Sequence, residues 1–222
     1  MLYRIFYDWN GMNSNLFTYI NQLLHKAQLS KILIYISPIA SIEFFAATYF
    51  IVCGYLYYII LSTNKDYKYF QTTAYKMIPV GICYTIFGLT FAALKFGVNL
   101  PRPYCSIDPN LLPNIADTSG ERCLSSFPSA HTGMALIITY YSWKYLSSFA
   151  KLIIVWFVPI IALSRIFLAM HYPADLLYSF LLTLVIIYVS NKVYYKIKSI
   201  AIDPILIFIF KILFTNRRQN KI

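Results

Sequence analysis

Six ionisable side chains stand at the edges of apolar runs instead of in open polar sequence. Lys95 closes one run, Arg102 follows it in Asn99-Leu100-Pro101-Arg102-Pro103, His131 opens the next, Arg165 ends another, and His171 with Asp175 opens the last. Ionisable groups at membrane depth are costly and need partners, so a set that comes out on one side of a helical bundle is a candidate functional site. Three fixed cations, two imidazoles and one carboxylate make an anion site supplied with an acid and a base. A tetrahedral oxyanion is its natural ligand, and phosphate fits best, because an arginine fork engages two phosphate oxygens while a lysine supplies a point charge. Asp175 lies one helical turn after His171, where it can hold the imidazole in a single tautomer and leave the other nitrogen free to attack phosphorus. Ser129, following Phe127-Pro128, reads as the N-cap of a helix whose free amides and positive dipole end face the phosphate. Pro173 suits the first turn of the last run.

The elements that must carry these residues are membrane helices. The 222 residues are 59% hydrophobic and only 12% charged, with a mean hydropathy of +0.59, which excludes an ordinary soluble domain. Residues 43 to 62, 74 to 94, 129 to 148, 151 to 170 and 173 to 193 are each long enough to cross ~30 Å of hydrocarbon as helices. The fold class expected is therefore all-α, a polytopic transmembrane bundle of five spans, with a sixth crossing near residues 16 to 36 as the alternative. Pro79 and Pro159 fall inside two spans, where neighbouring helices can accommodate them. From Asn15 to Tyr35, Leu16, Phe17, Ile20, Leu23 and Leu24 recur at helical spacing with Asn21, Gln22, His25 and Lys26 opposite, which predicts an interfacial helix with His25 on its solvated or lipid-facing side. Residues 202 to 214 are apolar but short and are also expected in the interface. Neither an internal repeat nor a low-complexity tract is found. The whole chain, 1–222, reads as one domain: an interfacial helix at about 15–36, a catalytic core at about 40–195 and a basic tail at 196–222. No secretory leader is expected, since Arg4, Asp8 and Asn10 interrupt the start.

The net charge of +11 does not form a patch on a polar domain; the basic residues flank apolar runs, which points to topology and anionic lipid contact, not to nucleic acid. Lys65, Lys68 and Lys76, the turn with Lys144 and Lys151, and the tail with Lys192, Lys196, Lys198, Lys211, Arg217, Arg218 and Lys221 mark the cytoplasmic face. The opposite face holds the loop 96 to 128 and the connection around His171. Cys105 and Cys123 lie at the two ends of that loop, and a disulfide between them would close it if this face meets an oxidising compartment. Cys53 and Cys83 read as core packing residues, and no CxxC pair suggests zinc. Glu43, the single acid of the first span, should lie near the outer face, either as a helix-start carboxylate or in contact with a head group. Residues 104 to 127, which include Asp108, Asp117, Glu121 and Arg122, form the expected selectivity element.

Motif by motif, these residues resemble the type 2 phosphatidic acid phosphatase (PAP2) superfamily, whose active site is similar to that of the vanadium haloperoxidases. The first motif, Lys, six residues, Arg-Pro, stands as Lys95 through Arg102-Pro103. The second, Pro-Ser-Gly-His, stands as Pro128-Ser129-Ala130-His131, and the third, Ser-Arg, five residues, His, three residues, Asp, as Ser164-Arg165, His171 and Asp175. The resemblance covers roughly residues 40 to 195. Ala130 is the one departure. Glycine permits the closest backbone approach, but a residue in the first turn of a helix does not require it, so a methyl group is tolerable there.

The resemblance implies a multi-pass lipid phosphatase of a bacterial inner (plasma) membrane, its active site on the periplasmic or extracellular side. Its substrate would be a phosphate monoester or pyrophosphate on phosphatidylglycerophosphate, phosphatidic acid, an undecaprenyl pyrophosphate or lipid A. It implies that His171 attacks phosphorus, that Asp175 orients it, and that Lys95, Arg102, Ser129, Ala130 and Arg165 hold the phosphate oxygens. His131 would protonate the leaving alkoxide and then activate water. No cofactor or metal is expected, because cationic side chains take the metal's role and Asp175 is engaged with histidine. The partners expected are the lipid phosphate and membrane lipids, with no obligatory protein partner. The alternative class is a non-catalytic lipid-phosphate binding or transport protein, although the inverted repeats and broken helices of transporters are not seen in the sequence.

Overall fold

Apolar runs become the long helices of this chain. The computed structural model describes residues 5–27, 30–62, 66–112 and 122–219, and among them every regular element is helical. Arg4, Lys65, Asp117, Glu121 and Lys221 lie outside the described residues, as do the side chains of Lys31, Arg217 and Arg218. In chain order the helices used below are α1 (Met12–Lys26), α2 (Ser30–Ile36), α3 (Ile42–Ser62), α4 (Tyr67–Val98), α5 (Ala130–Ser142), α6 (Ser148–Val155), α7 (Phe157–Phe167), α8 (Pro173–Ile197) and α9 (Asp203–Gln219).

Four stretches, Ile42–Ser62, Tyr67–Ser106, Ser148–Phe167 and Pro173–Leu213, are long and apolar enough to cross a membrane. The all-α bundle is as expected, and the stretch expected as a span at 129 to 148 holds a shorter helix than the others. α5 has 13 residues, about 20 Å at the helical rise, and gives way to a 3-10 turn at Trp143–Tyr145. It is a core helix, with Met134, Ala135 and Ile137 wholly buried. Gly133 allows that close packing, since a Cβ there would lie 2.4 Å from Phe87 Cε2 and 2.7 Å from Thr183 Oγ1.

The span expected at 151 to 170 is two helices that meet at Trp156. Pro159 therefore sits in the first turn of α7, where its missing N–H breaks no helical bond. Ser147 caps α6 by accepting from the Ala150 amide at 3.3 Å, and Asp66 caps α4 by accepting from Tyr69 N at 2.9 Å. The apolar stretch 202 to 214, expected as a separate interfacial piece, instead continues from α8 through a π turn at Lys198–Ile202 into α9.

The N-terminal amphipathic helix is present, but its buried side mixes apolar and polar residues. α1 buries Asn13, Phe17, Asn21 and Leu24, while Met12 and Leu23 are 62% and 52% exposed. The buried asparagines bond to backbone: Asn21 Nδ2 donates to Ile166 O and Phe167 O at 2.8 and 3.1 Å, and Asn13 Oδ1 accepts from Ala174 N at 3.0 Å. His25 also departs from expectation. It is half-buried, its ring 4.3 Å from that of Phe167.

The chain divides into two compact units, Met1–Phe45 with Phe87–Leu184, and Ala46–Ile86 with Val185–Ile222. In the first, Phe17, Ile166, Tyr172 and Leu176 pack together. In the second, Ile60, Phe70, Tyr194, Ile202 and Leu206 form the core. Cys83 is fully buried there, and Cys53 is half-buried; neither is in a disulfide.

Candidate active site

The site is assembled where helices stop. α4 ends at Val98, and Asn99 takes a left-handed conformation with φ 50°, which Asn tolerates better than most side chains. The chain then runs beside residues 122–126: Arg102 N donates to Cys123 O at 2.8 Å and Ser126 N to Leu100 O at 2.9 Å. Cys105 and Cys123, flagged as a pair in the sequence, are joined by a disulfide.

This lacing holds Lys95 and Arg102, and Ser37 holds Arg165. Lys95 Nζ donates to Ser125 O at 2.9 Å. Arg102 donates from Nε to Arg122 O at 3.1 Å, from Nη2 to Ser125 Oγ at 3.1 Å and from Nη1 to Met170 Sδ at 3.3 Å. Arg165, in the last turn of α7, donates from Nη1 to Ser37 Oγ at 2.9 Å. Arg102 and Arg165 are only 4% and 5% exposed. Buried cations are costly unless they are hydrogen-bonded or matched by an anion, and here serine hydroxyls, a backbone carbonyl and a thioether take part of that role.

His171 lies on the short connection between α7 and α8. That connection turns through Ala169, a left-handed residue with φ 53°, and is tied down by Tyr104 N donating to Ala169 O at 3.1 Å. Strain of this kind at a non-glycine residue persists only where surrounding contacts hold it. His171 is buried, and its Nδ1 faces Asp175 Oδ2 at 3.6 Å. Burial first, then the charges of Arg102, Lys95 and Arg165 and the nearby His131, push its imidazole well below its ordinary pKa of 6.5. A neutral ring with a lone pair is the form that can act as a nucleophile.

Asp175 is fully buried in the first turn of α8. Its Oδ2 accepts from Ser126 Oγ at 2.5 Å and Tyr172 N at 2.8 Å, and its Oδ1 from the Tyr7 hydroxyl at 2.6 Å.

Lys95, Arg102, Arg165, His131 and His171 all line one cavity of about 370 Å³, together with Ala130. Its remaining wall is apolar, with Ile42, Phe91, Ala92 and Phe96, and Glu43 and Arg122 are the exposed charged residues that border it. Asp175 stands behind His171, outside the lining. Ser129 is also outside it. Ser129 is the N-cap of α5 as read from sequence, but its amide donates to Ser179 Oγ at 2.6 Å, and its hydroxyl accepts from Thr132 Oγ1 at 3.1 Å instead of capping.

Ser37, Ser125, Ser126 and Tyr7 hold the charged groups in place and were not singled out from the sequence. Ser125 and Ser126 stand just before Phe127-Pro128, so proximity to the second motif was a usable signal. Tyr7 and Ser37 offered none, being ordinary residues far from any motif.

The chain thus has helices long and apolar enough to cross a membrane and a cationic pocket with two histidines. The family model described as "PAP2 superfamily" matches residues 76–199, and the chain belongs to that superfamily. Among solved structures, the crystal structure of Aquifex aeolicus LpxE is similar in fold, with a TM-score of 0.58 at 21% identity over 82% of this chain and 95% of that one. No curated protein matches. Family membership supports a lipid phosphatase of the PAP2 type.

Proposed function

We propose that the protein is a membrane-embedded phosphatase that removes phosphate from a lipid head group through a phosphohistidine intermediate and without a metal. The observation that carries this reading is the composition of the cavity, whose lining combines four cations (Lys95, Arg102, Arg122 and Arg165), two histidines and Glu43 with the apolar Ile42, Phe91, Ala92 and Phe96. The cationic side suits a phosphoryl group, and the apolar side suits the start of an acyl or polyprenyl chain.

In the first step the free nitrogen of His171 attacks phosphorus and the bond to the leaving alkoxide, or leaving phosphate, breaks. His131 donates the proton that the leaving oxygen takes up. Lys95, Arg102 and Arg165 hold the equatorial oxygens as charge spreads over them, and the amides of the first turn of α5 add positive potential. Asp175 keeps the His171 ring aimed. In the second step His131 takes a proton from water, which attacks the phosphohistidine and releases inorganic phosphate.

The reading places the cavity on the periplasmic or extracellular side of an inner (plasma) membrane. The disulfide Cys105–Cys123 supports that side, since such bonds persist in oxidising compartments. Candidate substrates are phosphatidylglycerophosphate, phosphatidic acid, undecaprenyl pyrophosphate and lipid A. The test is phosphate release from each by the purified protein in detergent, with and without EDTA. Release from at least one substrate, undiminished by EDTA, is expected. Absence of release from all four would sink the enzymatic reading.

A further inference from the structure

Asp175 is gripped from a part of the chain about as far from it in sequence as the protein allows. The Tyr7 hydroxyl donates to Asp175 Oδ1 at 2.6 Å across 168 residues, and both groups are buried. The same N-terminal segment meets the start of α8 at two further points. Asn13 Oδ1 accepts from Ala174 N at 3.0 Å, and the Tyr178 hydroxyl donates to Phe6 O. The Tyr7 ring also stands edge-on to Phe127, with centroids 6.1 Å apart, at the head of the Phe127-Pro128-Ser129-Ala130-His131 run.

Reaching these points requires a sharp reversal before α1. Trp9, Asn10 and Gly11 supply it with φ of 51°, 57° and 90°. Glycine takes such angles freely, but a tryptophan does not, so residues 5–8 are held by contacts and not by their own preference.

A carboxylate can orient a histidine only if it is itself fixed. Oδ2 accepts from Ser126 Oγ and Tyr172 N, and His171 Nδ1 stands 3.6 Å from it, close enough for the carboxylate to set the field the ring meets. Tyr7 secures the other oxygen, and with both oxygens secured the carboxylate plane cannot rotate. Loss of the Tyr7 donor would leave a buried lone pair unsatisfied and one end of the carboxylate loose.

We infer that Tyr7 is a positioning residue of the phosphoryl-transfer site, acting through Asp175 to aim His171, and that the N-terminal segment is thereby part of the active-site structure. The inference rests on the role of His171 proposed above.

Tyr7→Phe removes one hydroxyl and keeps the ring that packs on Phe127. In the full-length protein in detergent, kcat on a hydrolysed lipid substrate should fall about tenfold while KM stays within about twofold. A second readout does not depend on turnover. Orthovanadate mimics the phosphoryl group by taking a bond from an aimed imidazole nitrogen, whereas sulfate needs only the cations. Ligand-dependent shifts in thermal midpoint should show vanadate affinity weakened about tenfold by Tyr7→Phe, with sulfate affinity unchanged. A variant that loses both affinities equally, or neither, or that keeps full kcat, overturns the inference. Wild-type protein that binds vanadate yet hydrolyses no lipid phosphate would sink the proposed activity and still decide the role of Tyr7. Wild-type protein that binds vanadate no more tightly than sulfate would contradict both.

Discussion

The two units of the chain handle polarity in opposite ways. The unit of residues 5–45 and 87–184 buries Arg102, Arg165, His171, Asp175 and a set of serines, threonines and asparagines. In the other unit Ser190 is the one buried polar residue among those described, and its hydroxyl bonds to Ile187 O within its own helix. The charged pair of that second unit, Lys198 and Asp203 at 3.4 Å, stays about one-third exposed, with Asp203 also accepting from the Tyr75 hydroxyl at 2.6 Å. Burying charge is costly unless a partner is present or is to arrive. On the proposed function, an external anion completes the first unit, and the second is scaffold.

Substitutions can break or sharpen that contrast, and the largest effect should come from the nucleophile. His171→Gln should lower turnover by about four orders of magnitude or more, while sulfate still protects the protein against heat; a phosphate-release assay beside a thermal melt checks both. Arg102→Ala should follow, lowering kcat/KM by about 100- to 1000-fold, the range found when one donor to developing charge is removed. Opening the Cys105–Cys123 disulfide, by Ser at both positions, releases a loop with a sequence separation of 18 and should cost about 3 kcal/mol. Chemical denaturation with and without reductant reads it, and only the wild type should respond to reductant. Smallest of all, Lys198→Ala in the second unit should leave the denaturation midpoint almost unmoved and change kcat by less than about twofold. A larger loss of activity there would mean that the scaffold takes part in the chemistry.

Much of the site was legible because its residues sit beside helix ends. Lys95, Arg102, His131, Arg165 and His171 could be gathered on one side from the spans alone, and they line one cavity. The helical character of the chain was legible for a similar reason, since long apolar runs leave a backbone in lipid no alternative but helix. What sequence periodicity could not convey was direction. In α1 the 3.6-residue period is real, but Met12 and Leu23 face outward while Asn13 and Asn21 turn in to satisfy backbone groups. Helix ends were less legible: α5 stops at Ser142, short of the apolar run that contains it. The long-range hydrogen bonds from Tyr7 and Ser37 have no local signature, because their meaning lies in residues more than a hundred positions away.

The central claim, that His171 carries the phosphoryl group, is tested most directly by trapping it. Protein mixed with a saturating lipid phosphate would be quenched within milliseconds under denaturing alkaline conditions, which preserve phosphohistidine, then digested and mapped by mass spectrometry. The expected result is a phosphoryl group on His171 that is absent from His171→Gln. Steady turnover with the label on another residue, or with no labelled residue at any quench time, would contradict it.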